Sequence, residues 1–454
     1  MALATRPIEP IEIQNVWAPK PPEIPGTPDV APTPVVKSAS EYAAPLAPSA
    51  LEETGLTSVF IADLTLKLLY EKGQSSAQDL ADILCLPLAK ILQPVLDFLK
   101  SEHLVEVKGG TSVNNATYLH VLSSKGAERA REAMAKSGYV GPAPVTLASY
   151  VARVKAQSIG DLLVTNEQLR KALGHLVLPE LTVLQLGPAV NSGRSIFLFG
   201  PPGTGKSSIA NALASLIKGG MVIPYAVLVG QQVIRVYDPS RHKPLLQLDA
   251  RYDRRWIPIV RPFVEVGGEL TLEDLDLVVD PATKVHEAPF QMKAAGGVLL
   301  IDDFGRQRVS PDELLNRWIV PLDRGVDYLT TADGHKIEIP FDVLLIFSTN
   351  RTPSSLVDEA FLRRIQYKIE VKSPTALEFS EILRRVCEAQ KITFYPQAAD
   401  WIANYCKERN IALRSCHPRD LMAHLAACGR FLARPVELKP DLVRLACETY
   451  FVAV

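Results

Sequence analysis

Net charge is almost missing from this chain: 49 Lys and Arg face 50 Asp and Glu, a formal charge of −1 over 454 residues. Such a balance gives no overall field to draw in a polyanion, so any contact with nucleic acid has to be local. Long apolar runs are missing too. No stretch approaches the roughly 20 apolar residues of a membrane span, and the start of the chain has no apolar block of signal-peptide length. The expectation is a cytoplasmic location with no membrane span. Cysteine is scarce, six residues from Cys85 to Cys447 with no Cys-x-x-Cys pair, which fits reduced thiols better than disulfides. Cys406, Cys416, His417 and Cys428 lie near one another in sequence but lack the ligand spacing of a zinc site. No internal repeat of solenoid period is present. What remains is an ordinary globular composition, 47% apolar, in a chain long enough for two or three domains.

Against that plain background stands Gly200-Pro201-Pro202-Gly203-Thr204-Gly205-Lys206-Ser207, directly after the apolar run at 196–199. Glycines carry no Cβ, so the backbone N–H groups of such a turn can close around phosphate oxygens, and the helix that follows points its positive dipole end at the anion. The pattern implies a nucleoside triphosphate held by residues 200–208, Ser208 included. Lys206 reaches the β- and γ-phosphates and the Ser207 hydroxyl ligates Mg²⁺. Residues 209–217 have the apolar spacing of the required helix.

Two further segments supply chemistry. Val298-Leu-Leu-Ile-Asp302-Asp303 reads as a short buried strand ending in two carboxylates, the first suited to a hydrated Mg²⁺ and the second to orienting or deprotonating a water. Residues 341–350 read as another buried strand that ends in polar side chains, with Asn350 placed to touch the γ-phosphate or the water.

In order and spacing these segments resemble the AAA+ ATPases, with Walker A at 200–207, Walker B at 298–303 and the sensor-one strand ending at Asn350. The resemblance covers roughly residues 160–454, about two-thirds of the chain. It implies an α/β fold, a P-loop NTPase parallel sheet with a small α-helical lid, and ATP rather than GTP as the nucleotide. Val357-Asp-Glu-Ala-Phe-Leu-Arg363-Arg364 resembles the helix that ends in the family's arginine finger. Arg364 aligns best with the finger and Arg363 second. In a ring such a cation reaches the neighbouring subunit's γ-phosphate, an effect worth about 10³ to 10⁵ in rate in related hydrolases. His417-Pro-Arg419-Asp-Leu resembles sensor two, which implies that Arg419 acts in cis. One departure stands out: the family usually ends Walker B in Asp-Glu, whereas Asp303 is one methylene shorter, which bears on turnover more than on binding.

Residues 326–340 read as a β-hairpin around Asp333-Gly334, a dipeptide that tolerates the positive φ of a tight turn. MoxR-like ATPases and RuvB-type motors carry a hairpin at this point, so a substrate-facing role and a plain surface hairpin both stand open. The stretch 221–293 is longer than a simple crossover needs. Strand-like pieces at 225–229, 232–237 and 257–266 suggest an insert, made basic by Arg241, Lys243, Arg251, Arg254, Arg255 and Arg261 around Trp256. Such a surface suits gripping a polypeptide or nucleic acid. Asp249, Asp253 and Glu265 dilute the charge and favour a solvated insert or a subunit interface.

Upstream, residues 1–50 hold roughly a third of the 35 prolines and read as an extended, mobile tail. Residues 51–138 read as helices at 59–70, 77–84 and 87–101, strands at 104–107 and 118–122, and a helix at 125–135. That order resembles a winged helix, an α+β domain preceding the ATPase. Gly73 and Gln74-Ser-Ser mark the first turn, and Ser76 can cap the second helix. The helix in the recognition position offers only Lys90 and Lys100 as cations, too few for tight duplex binding. Residues 139–185 form a linker and helical lead-in, 186–372 the ATPase core, and 373–454 the lid. Together these features imply an ATPase that assembles with itself, expected as a homo-hexamer, hydrolyses Mg-ATP and remodels an unidentified protein client. A DNA-associated motor or transcription regulator, and a nucleotide-gated scaffold with little turnover, are the alternatives.

Overall fold

The computed structural model describes residues 44–108, 118–245, 248–356 and 362–451. Five short strands form its central sheet. In spatial order they are Phe263–Val266, Val298–Ile301, Leu344–Thr349, Ser195–Phe199 and Tyr367–Glu370, each parallel to its neighbours. All six residues of Leu344–Thr349 are buried, as a strand covered on both faces requires. The first of these strands in the chain, Ser195–Phe199, lies between the fourth and the fifth. That reversal of strand order opens a crevice at the carboxyl ends, where α/β sheets bind ligands.

Each face of the sheet has its own core. On one, Ile196, Leu198, Leu300 and Ile346 pack with Ile209 and Leu213 of the helix Lys206–Ala214 and with Leu186 and Val190 of Glu180–Asn191. On the other, the helix Pro311–Arg324, started by a Ser310–Glu313 capping box, lays Trp318 against Phe347, and Phe197, Phe304 and Phe347 meet at 5.1–5.9 Å between ring centroids. Edge-to-face contacts of this kind fix orientation as well as bury area. Helices Ala376–Ala389, Pro396–Glu408, His417–Phe431 and Pro440–Tyr450 share a separate core.

The segment expected as one strand over 257–266 is two. Pro262 has no N–H for a ladder, and the chain breaks there. Trp256–Val260 pairs antiparallel with Gly220–Pro224, while Phe263–Val266 is the edge strand of the central sheet. The stretch 221–293 is therefore not all insert. The rest builds a second sheet in the order Val278–Val279, His286–Glu287, Gln232–Arg235, Ala226–Val229 and Val145–Thr146. Its last strand comes from the segment read as linker. The hairpin Val326–Thr330 with Lys336–Pro340 closes through residues 331–335, not through a two-residue turn. Gly334 alone takes a positive φ, 83°, while Asp333 accepts a hydrogen bond from the Thr331 hydroxyl.

Near the start of the described chain, helices Ser58–Lys72, Ala77–Leu84 and Gln93–Ser101 pack on an antiparallel sheet of Gln74–Ser76, Leu119–Leu122 and Val105–Lys108. Ser76 caps the second helix by accepting from the Asp79 N–H at 3.1 Å. Gln74–Ser76, read as a turn, is a strand paired to 119–121; its polar side chains give no apolar alternation to read. The helix expected over 87–101 starts as a π turn, Leu88–Leu92, because Pro94 cannot donate into an α-helical ladder. Residues 109–117, between the last two strands, lie outside the described set, as do 1–43 of the proline-rich tail.

This helical unit shares its core with the insert: Ala226, Val233 and Val285 pack among Leu69, Leu84 and Leu96. Arg255, only 4% exposed, staples the junction. Its guanidinium donates to both Asp253 oxygens at 2.7–3.2 Å and to the carbonyl oxygens of Thr54 and Pro144 at 2.9 and 3.3 Å. Arg254 adds a 2.7 Å bond to Asp82 on the second helix. Arg251 pairs with Asp249, Arg241 stacks on Phe290, and Arg261 donates to the carbonyls of Gly296 and Gln157. Trp256 is buried. Most of the basic side chains that suggested a gripping surface are thus turned to internal contacts.

Removing one partner of a buried ion pair strands the other. Arg255→Ala is therefore expected to cost about 3–5 kcal/mol, and Arg255→Met with Asp253→Leu markedly less, in denaturant unfolding of the purified chain. Lys67 gives a pH test. It is buried, its ammonium donates to the Ser137 carbonyl at 3.0 Å, and burial lowers its pKa from 10.5 to about 8. Between those values the unfolded chain binds more protons than the folded one, so stability rises with pH across the window. Lys67→Met should raise the unfolding midpoint at pH 7 and flatten that rise; an unchanged pH response in the variant contradicts the assignment.

Candidate functional site

The strand Ser195–Phe199 runs straight into a loop whose glycines the fold requires. Gly200 has φ 141°, and a Cβ there would meet the Val371 carbonyl oxygen at 2.2 Å; Gly203 has φ 74°, and a Cβ would meet Cys416 Sγ at 2.6 Å. Gly205, φ 95°, precedes the first turn of the helix Lys206–Ala214. Thr204 Oγ1 donates to Pro201 O at 2.9 Å and stiffens the turn. The loop also holds the lid, since Cys416 N donates to Gly203 O at 3.0 Å.

Lys206 is buried. Its Nζ donates to three oxygens: Gly200 O at 3.0 Å, Pro201 O at 2.9 Å and Asn350 Oδ1 at 2.8 Å. Burial pushes the ammonium below its usual pKa, while Asp302 and Asp303 pull it back. Asn350 then turns its Nδ2 to Asp303 Oδ1 at 2.9 Å. One amide thus bridges the loop lysine and the second carboxylate. Ser207 Oγ donates to Asp302 Oδ2 at 2.9 Å, and Asp302 Oδ1 accepts from the Asp303 N–H at 3.0 Å. A hydroxyl and a carboxylate side by side, with a second carboxylate beyond, form the hard oxygen donor set that suits Mg²⁺, which keeps most of its waters. Ser207 and Asp302 would hold it.

The acid loop is stitched to the strand Leu344–Thr349. Phe304 N donates to Ser348 O and Thr349 Oγ1 to Phe304 O, both at 2.7 Å. Gln307 locks it from beneath, accepting from Gly305 N at 2.8 Å and donating to Asp302 O at 2.9 Å. Asp303 sits at φ 48°, a left-handed backbone that short Asp and Asn side chains tolerate better than longer ones.

These groups line a cavity of about 540 Å³, within the range of small-molecule sites. Pro202, Gly203, Thr204, Gly205, Lys206, Ser207, Ser208, Asp302, Asp303, Asn350 and Arg419 all face it. Gly200 and Pro201 sit behind the wall and receive the lysine. Arg419 is exposed, with a 3.2 Å contact to Asp420. His417 beside it is structural: burial and Arg414 lower its pKa to about 4, and its neutral Nδ1 accepts from Arg414 N at 3.3 Å.

Sequence reading missed the cavity's other end. His175, Leu176, Val177 and Leu178 face Ile382, Val386 and Ala389 of the lid across an apolar slot. Arg385 fastens the two sides, donating to Gly174 O at 2.7 Å and Leu176 O at 3.2 Å while Glu381 accepts from its Nε at 2.7 Å. Arg384 and Arg385 hold the Glu381 carboxyl down at about 2. The run Leu176-Val-Leu-Pro179 was a readable apolar signal; Arg385 and Gln307 gave none.

Arg363 and Arg364 are not brought to this cavity. They line a separate one of about 470 Å³ with Arg194, Leu322, Asp323 and Gln366, and Arg364 Nε donates to Asp323 Oδ2 at 2.9 Å. Residues 357–361 of the segment that carries them lie outside the described residues.

Comparison with known proteins bears on two segments. Residues 196–373 match the model of the ATPase family associated with various cellular activities (AAA), and residues 375–449 match a domain of unknown function (DUF8689). No curated protein matches the chain. Among solved structures, NtrX from Brucella abortus in complex with ADP is 17% identical, covering 51% of this chain and 47% of its own, with a TM-score of 0.30. The RuvB Holliday junction branch migration motor of Thermotoga maritima is 17% identical, covering 65% and 72%, with a TM-score of 0.34. Superpositions this loose carry no argument about what this chain does. The family match coincides with the parallel sheet and its phosphate loop, so residues 196–373 carry the P-loop NTPase fold of the AAA ATPases.

Proposed function

We propose that this chain binds and hydrolyses Mg-ATP in a ring of identical subunits, expected to be a hexamer, and uses the cycle to remodel a protein partner. The observation that carries this reading is the linked set Lys206–Asn350–Asp303 beside Ser207–Asp302, in one cavity between phosphate loop and lid.

The loop amides and Lys206 bind the triphosphate, with the lysine exchanging carbonyl partners for phosphate oxygens. The apolar slot between 175–178 and Ile382, Val386 and Ala389 accepts the flat base. Ser207 and Asp302 would hold Mg²⁺, which would supply charge neutralisation on the phosphates. Asp303 orients a water and takes its proton as the water oxygen bonds to the γ-phosphorus. The bond from that phosphorus to the bridging oxygen breaks, its electron pair leaves with ADP, and inorganic phosphate is the second product. Asn350 fixes Asp303 in its acceptor role, and Arg419 steadies the phosphates from the lid. Arg364, with Arg363 as second choice, belongs to the nucleotide of the adjacent subunit, since both sit apart from the chain's own cavity.

A protein client is favoured over duplex DNA. The N-terminal unit, winged-helix-like in its order of elements, offers only Lys90 and Lys100 on its third helix. The start of that helix lines a groove with Ala250, Tyr252 and Arg254 of the insert, so it is not clear of its own chain. The hairpin at 326–340 fits the hairpin-bearing, MoxR-like group and a client-facing role.

Phosphate release by the purified chain tests the reading. Turnover should require Mg²⁺ and ATP, Lys206→Ala should lose nucleotide affinity, and Asp303→Asn should bind ATP while releasing phosphate at least ~100-fold more slowly. If the parent binds Mg-ATP without releasing phosphate, hydrolysis is ruled out as its function, and a large gain in Asp303→Glu would leave the nucleotide-gated scaffold. Asn350→Ala isolates the bridging amide: single-turnover rates should fall about 10²–10³-fold while the ATP dissociation constant moves less than about tenfold.

A further inference from the structure

We propose that Arg194 is a third cation, beside Arg363 and Arg364, that receives the triphosphate of a neighbouring copy of this chain. The inference rests on the ring reading above and adds a residue that no motif announces.

Arg194 immediately precedes the strand Ser195–Phe199, and Arg364 closely precedes Tyr367–Glu370. The two strands are parallel neighbours with Tyr367 opposite Ile196. Carried back two residues, that register sets Arg194 opposite Ile365, next to Arg364. Among the described residues, Arg194, Arg363 and Arg364 line one open cavity together with the carboxylate of Asp323. Among the described lining residues the guanidinium groups outnumber the carboxylates, and Asp323 already accepts from Arg364. Among the described residues neither Arg194 nor Arg363 has an ion-pair partner.

The cluster cannot serve its own nucleotide. It lies at the amino ends of the strands, whereas the phosphate loop leaves the carboxyl end of Ser195–Phe199. Gly200 lies six positions on from Arg194, about 20 Å at ~3.3 Å per residue, beyond the reach of an arginine. In the chain's own cavity two cations are already engaged, Lys206 with loop carbonyls and Asn350 and Arg385 with the carbonyls of Gly174 and Leu176, while Arg419 is exposed. An anion-hungry surface at one sheet edge and a triphosphate site at the other are complementary between two copies. Planar guanidinium forks suit phosphate oxygens. Arg194 makes no bond in the reaction; it stabilises negative charge on the phosphate oxygens as the β–γ linkage opens.

The test uses the full chain with Arg194→Ala, Arg194→Lys, Arg364→Ala and Lys206→Ala, reading kcat, KM and assembly by mass photometry. Arg194→Ala should assemble and bind nucleotide as the parent does, with kcat reduced ~10–100-fold and KM changed less than about threefold, and Arg194→Lys should recover part of the loss. Mixing Arg194→Ala with Lys206→Ala should restore turnover, because some junctions then join an intact cradle to an intact arginine. A normal kcat in Arg194→Ala, with Arg364→Ala impaired, overturns the role of Arg194 and leaves the ring reading standing. Loss of assembly in Arg194→Ala overturns the catalytic role in favour of a structural one. Full activity of a monomeric parent sinks both. Loss of duplex DNA binding in Arg194→Ala with unchanged hydrolysis would assign the cavity to nucleic-acid phosphates instead.

Discussion

A single buried ammonium organises the nucleotide cavity. Lys206 donates to two loop carbonyls and to Asn350, so one charge ties together the loop, the Asn350 amide and, through that amide, the Asp303 carboxylate. Carbonyl and amide oxygens are weaker partners for a desolvated cation than phosphate oxygens. The loop carbonyls are therefore partners of Lys206 that an anion can replace. Every other feature of the site keeps Lys206, Asn350 and Asp303 in register. The parallel sheet ends their strands at one edge, the aromatic layer of Phe197, Phe304, Phe347 and Trp318 makes that edge rigid, and Gln307 pins the acid loop from below.

The same sheet explains why the cavity has walls from two parts of the chain. Its inner wall belongs to the P-loop core, its outer wall to the helical lid, and Arg385 spans them by holding the backbone of 174–176. On the far side the insert grows from the edge strand Phe263–Val266, which pairs with the strand carrying Asp302. The helical unit at the start of the chain is not tethered loosely to this body. It shares apolar core with the insert and is stapled to it by Arg255.

How much of this was legible follows from what each residue has to do. The phosphate loop could be read outright, because glycines at positive φ followed by Lys and Ser answer a chemical demand that few other settings make. Asp302, Asp303 and Asn350 could be read because buried apolar strands that end in polar residues point to a sheet edge. Arg255 could not be read as a staple. Its carbonyl partners at Thr54 and Pro144 lie far away in sequence, and a carbonyl leaves no signature in a side chain. The strand Phe263–Val266 was misplaced for a related reason: alternation reveals a strand, not the sheet it joins. Gln74–Ser76 pairs through backbone alone and showed no pattern at all, and Arg385 looked like any exposed helix charge until the loop it holds was in view.

The shorter second acid has a backbone explanation. Asp303 occupies a left-handed conformation, and its N–H bonds back to Asp302 Oδ1 as the chain turns sharply into Phe304, which is held to the strand Leu344–Thr349. A longer, more flexible side chain gains little at such a position, whereas a short carboxylate is tolerated there and has fewer rotamers to lose. The turn also brings the carboxyl within 2.9 Å of Asn350 despite the missing methylene. The departure from Asp-Glu is coupled to the local fold, so the length of the acid cannot be weighed apart from the backbone that carries it.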